Sequence, residues 1–265
     1  MKKKAGHKPR KRFGQNFLTD EGVIAEIARA INPDTDDNLV EIGPGQGALT
    51  RALLDYGCQL NAIEIDRDLQ GLLTGIFCDE PFTLHNADAL SFDFSSLDHS
   101  DHKLRIVGNL PYNISTPLLF HLYAFSSIIE DMHFMLQKEV VERLAASPST
   151  KNWGRLSVMT QIDHRVEYLF DVPPEAFYPR PKVQSAIVRL IPLANPRHTD
   201  CDRATLAKFV QTAFAQRRKT LRNNLKGILS DSEIEALGLD PTVRAEALKV
   251  DDLVRLYRAA NVYNA

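Results

Sequence analysis

The sequence predicts an α/β fold: a doubly wound, mostly parallel sheet with an antiparallel end, followed by a small α-helical C-terminal domain. Three observations carry this. From Asp20 to Gln137, short apolar runs of strand type alternate with segments of helical spacing, the pattern of parallel strands joined by crossover helices. Two strand-type runs, "RVEYLFDV" and "SAIVRLIPL", then flank the proline-rich "PPEAFYPRPKV" and predict a long hairpin that closes the sheet. From "ANPRHTD" onward helix formers dominate without strand signals, so a boundary is expected near Asn195, between a 1–195 domain and a 196–265 domain.

Each element has a local reason. Asp20 suits the N-cap of a helix whose apolar positions Val23, Ile24, Ile27, Ala28 and Ile31 recur at helical spacing before Pro33. "NLVEIG" predicts a strand, "ALTRALLDYG" a helix closed by Gly57 as its C′ residue, and "LNAIEID" a second strand. "RDLQGLLTGIF" is helical but weakened by Gly71 and Gly75. "FTLHNA" and "KLRIVGN" predict the third and fourth strands, and helical "TPLLFHLYAF", strand-like "EDMHFMLQ" and helical "KEVVERLAA" continue the alternation. Past the boundary, "RATLAKFVQTAFA", "RRKTLRNNLKGIL", "DSEIEALG" and "VDDLVRLYRAAN" predict short helices.

Charge is informative through its distribution, since the net value is only −2. Lys2, Lys3, Lys4, Lys8, Arg10, Lys11 and Arg12 precede the first acid, Asp20. A second acid-free span, between Asp202 and Asp231, carries Arg203, Lys208, Arg217, Arg218, Lys219, Arg222 and Lys226. Basic ends around an acidic middle suggest nucleic acid rather than a membrane, because the first twelve residues show no amphipathic apolar face. A solvated basic surface is the plainer alternative. Cys58, Cys78 and Cys201 are odd in number and lack Cys-x-x-Cys spacing, which argues against a disulfide framework or a zinc site. "DHSDH", with Asp98, His99, Asp101 and His102, is expected to be a solvated loop, so no metal is expected. The basic start leads into "RFGQNFL" without the apolar core of a signal peptide, and a cytoplasmic location is expected.

The glycine loop "VEIGPGQGA" follows a strand and opens a helix, so Gly43, Gly45 and Gly47 permit a tight turn and close approach of a ligand. With Ala48 it also satisfies the dinucleotide fingerprint, and the loop alone does not choose a ligand. Glu64, ending the second strand, can accept hydrogen bonds from both hydroxyls of a ribose and so points to a nucleoside. Asp88, in "NADAL" after the third strand, could accept from an adenine amino group; a helix cap is its alternative.

The fourth strand ends in Asn109-Leu110-Pro111-Tyr112. A dehydrogenase has no use for this tetrapeptide, whereas methyl transfer to an amino nitrogen has a use for each part. Pro111 fixes its own φ and holds Leu110 extended, so the neighbouring carbonyls point in fixed directions. The Asn109 amide oxygen adds an acceptor, and Tyr112 offers a face on which a base could stack.

Taken together, "RFGQNFL", "VEIGPGQGALT", "AIEID", "NADAL", "VGNLPYNIS" and "PEAFYPRPKVQSA" resemble the ribosomal RNA adenine N6,N6-dimethyltransferase family, which uses S-adenosylmethionine on a Rossmann-like class I methyltransferase sheet. The motifs span about residues 12 to 186, and the pattern is most similar to the bacterial small-subunit (16S) branch, whose members dimethylate two adjacent adenines in a hairpin loop near the 3′ end of that RNA. The resemblance implies that Asn16 and Leu18 cover the cofactor, Gly43 lies beneath its methionine part, Glu64 holds the ribose and Asp88 meets the adenine. It further implies that Asn109 bridges cofactor and target, Leu110 and Pro111 offer carbonyls, Tyr112 stacks on the target base and Phe177 closes on its other face. Arg217, Arg218, Lys219 and Arg222, with the N-terminal run, would contact phosphates of RNA without reading bases.

The partner implied is small-subunit rRNA within the small ribosomal subunit or its precursor, during ribosome biogenesis, with the chain acting as a monomer and without a membrane. Alternatives are a large-subunit rRNA methyltransferase that confers antibiotic resistance, a DNA adenine methyltransferase, and a non-catalytic checkpoint factor of ribosome assembly.

Overall fold

A computed structural model describes residues 15–197 and 201–262, so the N-terminal basic run and the start of "RFGQNFL" lie outside the described residues. Two compact units are present. The first holds the described residues up to Val141 together with Glu167–Pro192; the second holds Glu142–Val166 and the described residues from Leu193 on.

The first unit begins with β1 (Phe17–Leu18) and α1 (Glu21–Ile31), where the Asp20 carboxylate accepts from the Val23 amide at the N-cap. Alternation follows: β2 (Asn38–Ile42), α2 (Ala48–Leu54), β3 (Gln59–Glu64), α3 (Arg67–Ile76), β4 (Phe82–Asn86), β5 (Leu104–Asn109), α4 (Ser115–Tyr123), β6 (Ile129–Gln137) and α5 (Lys138–Leu144). After α6 (Arg155–Gln161) come β7 (His164–Val172), the two-residue β8 (Phe177–Tyr178) and β9 (Ser185–Pro192). The large sheet has the order β4-β3-β2-β5-β6-β9-β7, and β8 pairs with β1 apart from it.

Pairing is parallel from β4 to β6, and β9 runs antiparallel to β6, as the closing hairpin predicts. Strand order reverses between β2 and β5. Such a switch point opens a crevice beyond the carboxyl ends of the two strands. Close approach there depends on Gly108, because a Cβ at that position would lie 2.5 Å from the Ile42 carbonyl oxygen. One sheet face packs on α1 and α2, burying Ile27, Ile31, Leu39, Leu49, Leu53, Val107, Met135 and Ile187 together.

In the second unit, α6 joins α7 (Arg203–Ala213), α8 (Leu221–Asn224), α9 (Asp231–Ala236) and α10 (Val250–Val262). Trp153, Val158, Met159 and Ile162 share a buried cluster with Leu206, Val210, Leu221, Leu253 and Leu256. That packing assigns Glu142–Val166 to the helical unit, where a single cut near Asn195 was expected from composition.

The helix expected over "RRKTLRNNLKGIL" is also different. Residues 216–220 form a turn, closed by a bond from the Lys219 amide to the Gln216 carbonyl, and α8 is only four residues long. The Asn224 amide caps the preceding carbonyls of Ala213 and Gln216, which draws this segment out of one continuous helix.

Candidate active site

The crevice at the switch point is a cavity walled by the glycine loop, the ends of β3 and β5, the Asp88 turn and the segment Gln15–Leu18. Gly43, Gly45 and Gly47 all adopt positive φ, which turns the chain from β2 into α2 within five residues. Phe17 sits against this loop: a Cβ on Gly45 would lie 3.1 Å from its ring.

Glu64 is buried at the end of β3, and its carboxylate accepts from the Asp66 amide at 2.8 Å and from the amides of Gly45 and Ile65. Burial pushes its pKa above the ordinary value although these bonds oppose the shift. Asp66 caps α3 through the Asp68 amide and also accepts from the Gln15 side chain at 3.0 Å, which ties the segment ahead of β1 to the cavity. Asp88 also lines the cavity, and one of its oxygens accepts from the Leu90 amide at 3.0 Å.

At the end of β5 the Asn109 side chain donates from Nδ2 to the Asn16 carbonyl at 3.0 Å. With the amide nitrogen so engaged, Oδ1 is the group Asn109 can offer as an acceptor. The Leu110 amide donates to the Met135 carbonyl, and the Pro111 carbonyl accepts from the Ile114 amide at 3.1 Å, so the tetrapeptide is held on both sides. Tyr112 is fixed at its far end, where the hydroxyl lies 2.7 Å from Ser185 Oγ, and burial raises its pKa against that bond.

The charges lining this cavity are one-sided. Glu41, Glu64 and Asp88 contribute, and among the described residues no Lys or Arg does. S-adenosylmethionine carries a sulfonium and an ammonium against one carboxylate, so an acidic lining fits it.

A model of the family described as ribosomal RNA adenine dimethylase matches residues 6–261. The chain belongs to this family. Among curated relatives it is 59% identical over 251 residues to "Ribosomal RNA small subunit methyltransferase A" of Pseudomonas aeruginosa, covering 94% of each chain. The protein of the same name from Chromobacterium violaceum is 56% identical over 250 residues, covering 94% of this chain and 95% of that one. Of solved structures, the 23S rRNA methyltransferase ErmE matches with TM-score 0.74 and 26% identity over 93% of this chain and all of that chain. A dimethyladenosine transferase from Plasmodium falciparum shares the fold with TM-score 0.81 at 23% identity, over 94% of this chain and 98% of that one. The chain is accordingly an adenine dimethylase that uses a methyl donor of the S-adenosylmethionine type.

In this family member the cavity brings together Asn16, Leu18, Gly43, Glu64, Asp88, Asn109, Leu110, Pro111 and Tyr112. Phe177 is placed elsewhere. It is 4% exposed, pairs with Leu18 and joins the core beside Ile187, outside the cavity lining. Of the basic residues expected to contact RNA, Arg217, Arg218 and Lys219 lie on the turn before α8, and Arg222 is within α8. Arg217 donates to the Lys151 carbonyl and lies 3.4 Å from Glu246, while Arg222 pairs with Asp231 at 2.7 Å. Arg218 and Lys219 are exposed. In the "DHSDH" loop, His99 Nδ1 lies 2.7 Å from the Leu97 carbonyl oxygen and Asp98 accepts from Ser100.

Among the lining residues that escaped sequence reasoning are Glu41, His133 and Ile65. Glu41 is buried on the cavity floor, accepts from the Thr50 hydroxyl at 2.6 Å, and has its pKa raised to about 7, chiefly by burial. An acid inside the apolar run "NLVEI" was the available signal. His133 lines the same cavity, with both ring nitrogens buried and lacking a hydrogen-bond partner among the described residues. Ile65, exposed and directly after Glu64, offers an apolar face at the rim.

Proposed function

We propose that this chain methylates N6 of two adjacent adenines in a hairpin loop near the 3′ end of small-subunit (16S) rRNA, giving N6,N6-dimethyladenosines during biogenesis of the small ribosomal subunit. The observation that carries this reading is the clamped Asn109 amide, with Oδ1 as its acceptor, at the end of β5 in a cavity lined by carboxylates. Extensive identity to relatives named for the small subunit supports the choice of RNA.

When bound, S-adenosylmethionine supplies an electrophilic methyl group on its sulfonium. Glu64 would accept from the ribose hydroxyls and Asp88 from the adenine amino group of the donor. Asn16 and Leu18 would cover it, and Gly43 would let the backbone approach its methionine part. The target N6 is a poor nucleophile because its lone pair is delocalised into the ring, so the protein's task is chiefly alignment. Ideal alignment of reacting groups can lower a barrier by as much as about 7 to 11 kcal/mol. Asn109 Oδ1 and the Leu110 and Pro111 carbonyls would accept the amino hydrogens and favour the partly positive, pyramidal nitrogen that forms during attack. Tyr112, held by Ser185, would stack on the base. After transfer the cationic nitrogen is acidic enough to lose its proton to an acceptor or to water.

The target must leave its stack to reach the cavity, which is cheaper in a loop than in a duplex. Arg217, Arg218, Lys219, Arg222 and the N-terminal basic run would hold RNA phosphates.

A labelling experiment tests the reading. The protein and methyl-labelled donor are incubated with small subunits lacking the modification, with large subunits and with duplex DNA. Label is expected in small-subunit rRNA as dimethyladenosine. Label in large-subunit RNA or in DNA contradicts the proposed substrate, and tight binding to small subunits without label would favour the checkpoint role.

A further inference from the structure

We propose that Tyr178 is a stacking platform for the nucleotide next to the one held in the cavity, with Arg180 and Lys182 beside it on the adjoining phosphates. This rests on the reading of the substrate as single-stranded rRNA with an adenine at Asn109.

Tyr178 is 67% exposed, the most exposed large apolar or aromatic side chain among the described residues, so it has no packing role. Its place is set by the short ladder of β1 and β8, where Tyr178 stands opposite Phe17 and Phe177 opposite Leu18. Residues directly opposite in an antiparallel pair project from the same face. Leu18 and Phe177 both enter the core, and the other face carries Phe17, whose ring borders the glycine loop, together with Tyr178. Tyr178 therefore stands beside the cavity wall without lining the cavity itself.

The loop that follows is anchored at both ends to that wall. It starts on the β1 ladder and ends at Ser185, which holds Tyr112, while the Gln184 carbonyl accepts from the Lys138 amide. Between these anchors "YPRPKVQ" contains no acid, and every residue in it except Pro181 is exposed. Arg180 pairs with Glu175, which sets the guanidinium close to the loop. Pro179 and Pro181 restrict the backbone. A restrained, cationic segment carrying one open aromatic ring is the surface that binds single-stranded nucleic acid through stacking and phosphate contact. A target base that enters the cavity brings its neighbour to the rim, and two adjacent adenines supply a purine there.

The test compares the unaltered protein with Tyr178→Ala and Tyr178→Phe on two substrates: small subunits with both adenines, and reconstituted small subunits with one of the two positions abasic. On the intact particle Tyr178→Ala is expected to lower kcat/KM about tenfold, the loss of one base stacked on an aromatic ring, and Tyr178→Phe to stay within about twofold. On the abasic particle all three proteins should be equally slow. Donor affinity, measured by calorimetry, should be the same in all three. Equal rates on the intact particle, or a tenfold loss in Tyr178→Ala that persists on the abasic one, overturns the assignment. Absence of label with the unaltered protein on intact small subunits removes the underlying substrate reading instead, and the proposal with it.

Discussion

Arg105 and Asn109 sit four residues apart on one strand, β5, and their surroundings are opposite in kind. At the Arg105 end every charge has a counter-charge. Arg105 reaches Asp131 at 3.0 Å and Asp37 at 2.5 Å and donates to the Ile31 carbonyl at 2.7 Å; Arg189 adds a second cation 2.8 Å from Asp131. Burial opposes the guanidinium charge, yet its two carboxylate partners hold its pKa above the ordinary value. At the Asn109 end, Glu41, Glu64 and Asp88 line the cavity and no lysine or arginine accompanies them among the described residues. His133 lies between, two residues along β6 from Asp131. Burial lowers its pKa to about 4 despite that carboxylate, so it adds no positive charge at neutral pH. Charges that hold a fold together are paired within the chain, whereas those that receive a cationic ligand are left for the ligand to complete.

The contrast breaks most easily at its paired end. Asp131→Ala leaves Arg105 and Arg189 without their shared acceptor, one of them largely buried, and is expected to destabilise the protein by about 3 to 5 kcal/mol. Denaturant unfolding would measure it, and a loss below about 1 kcal/mol would show that water reaches this cluster. At the other end effects should fall on function. Asn109→Ala is expected to lower the transfer rate by about 100-fold, as misplacement of a reacting group does, with donor affinity much less affected. Glu64→Ala should weaken donor binding by about tenfold or more, the value of a hydrogen bond to a charged group. Similar loss of donor affinity in both variants, read by calorimetry beside single-turnover rates, would erase the division between positioning the target and holding the donor.

What could be read in the sequence was local. The Asp20 cap, the glycine turn after β2 and the strand ends at Glu64 and Asn109 are each specified within a few residues, and the cavity assembles from them once the sheet order reverses. Features set by distant partners were not legible. Phe177 and Tyr178 are adjacent aromatics, and only pairing with β1 decides which enters the core. Trp153 shares the buried cluster of the helical unit with residues some fifty or more positions away, such as Leu206 and Leu253, and Glu142–Val166 belongs to that unit. Arg217, Arg218 and Lys219 lie in a sequence of good helix formers, and the Asn224 amide bonds override that preference. Glu41 was visible as a letter, but its near-neutral pKa depends on burial by the completed sheet.

Glu41 gives the finest test of the contrast. Its pKa rises from 4.5 to about 7 because burial disfavours the carboxylate; the Thr50 hydroxyl opposes the shift and the charge of Glu64 adds to it. Between those two values the folded chain keeps a proton that the unfolded chain has lost, so stability falls as pH rises through that window and the full penalty applies above about 7. Glu41→Gln keeps an acceptor for Thr50 and cannot ionise. Without donor, the variant should match the unaltered protein near pH 4 and exceed it in stability at pH 8 by up to about 3 kcal/mol, read from denaturant unfolding at each pH. A bound cation favours the ionised carboxylate, so donor affinity in the unaltered protein should increase as pH rises through 7 and stay flatter in Glu41→Gln. Equal stability of the two proteins at pH 8 would mean that the Glu41 charge is already compensated inside the chain, and the two ends of β5 would then differ in geometry but not in their treatment of charge.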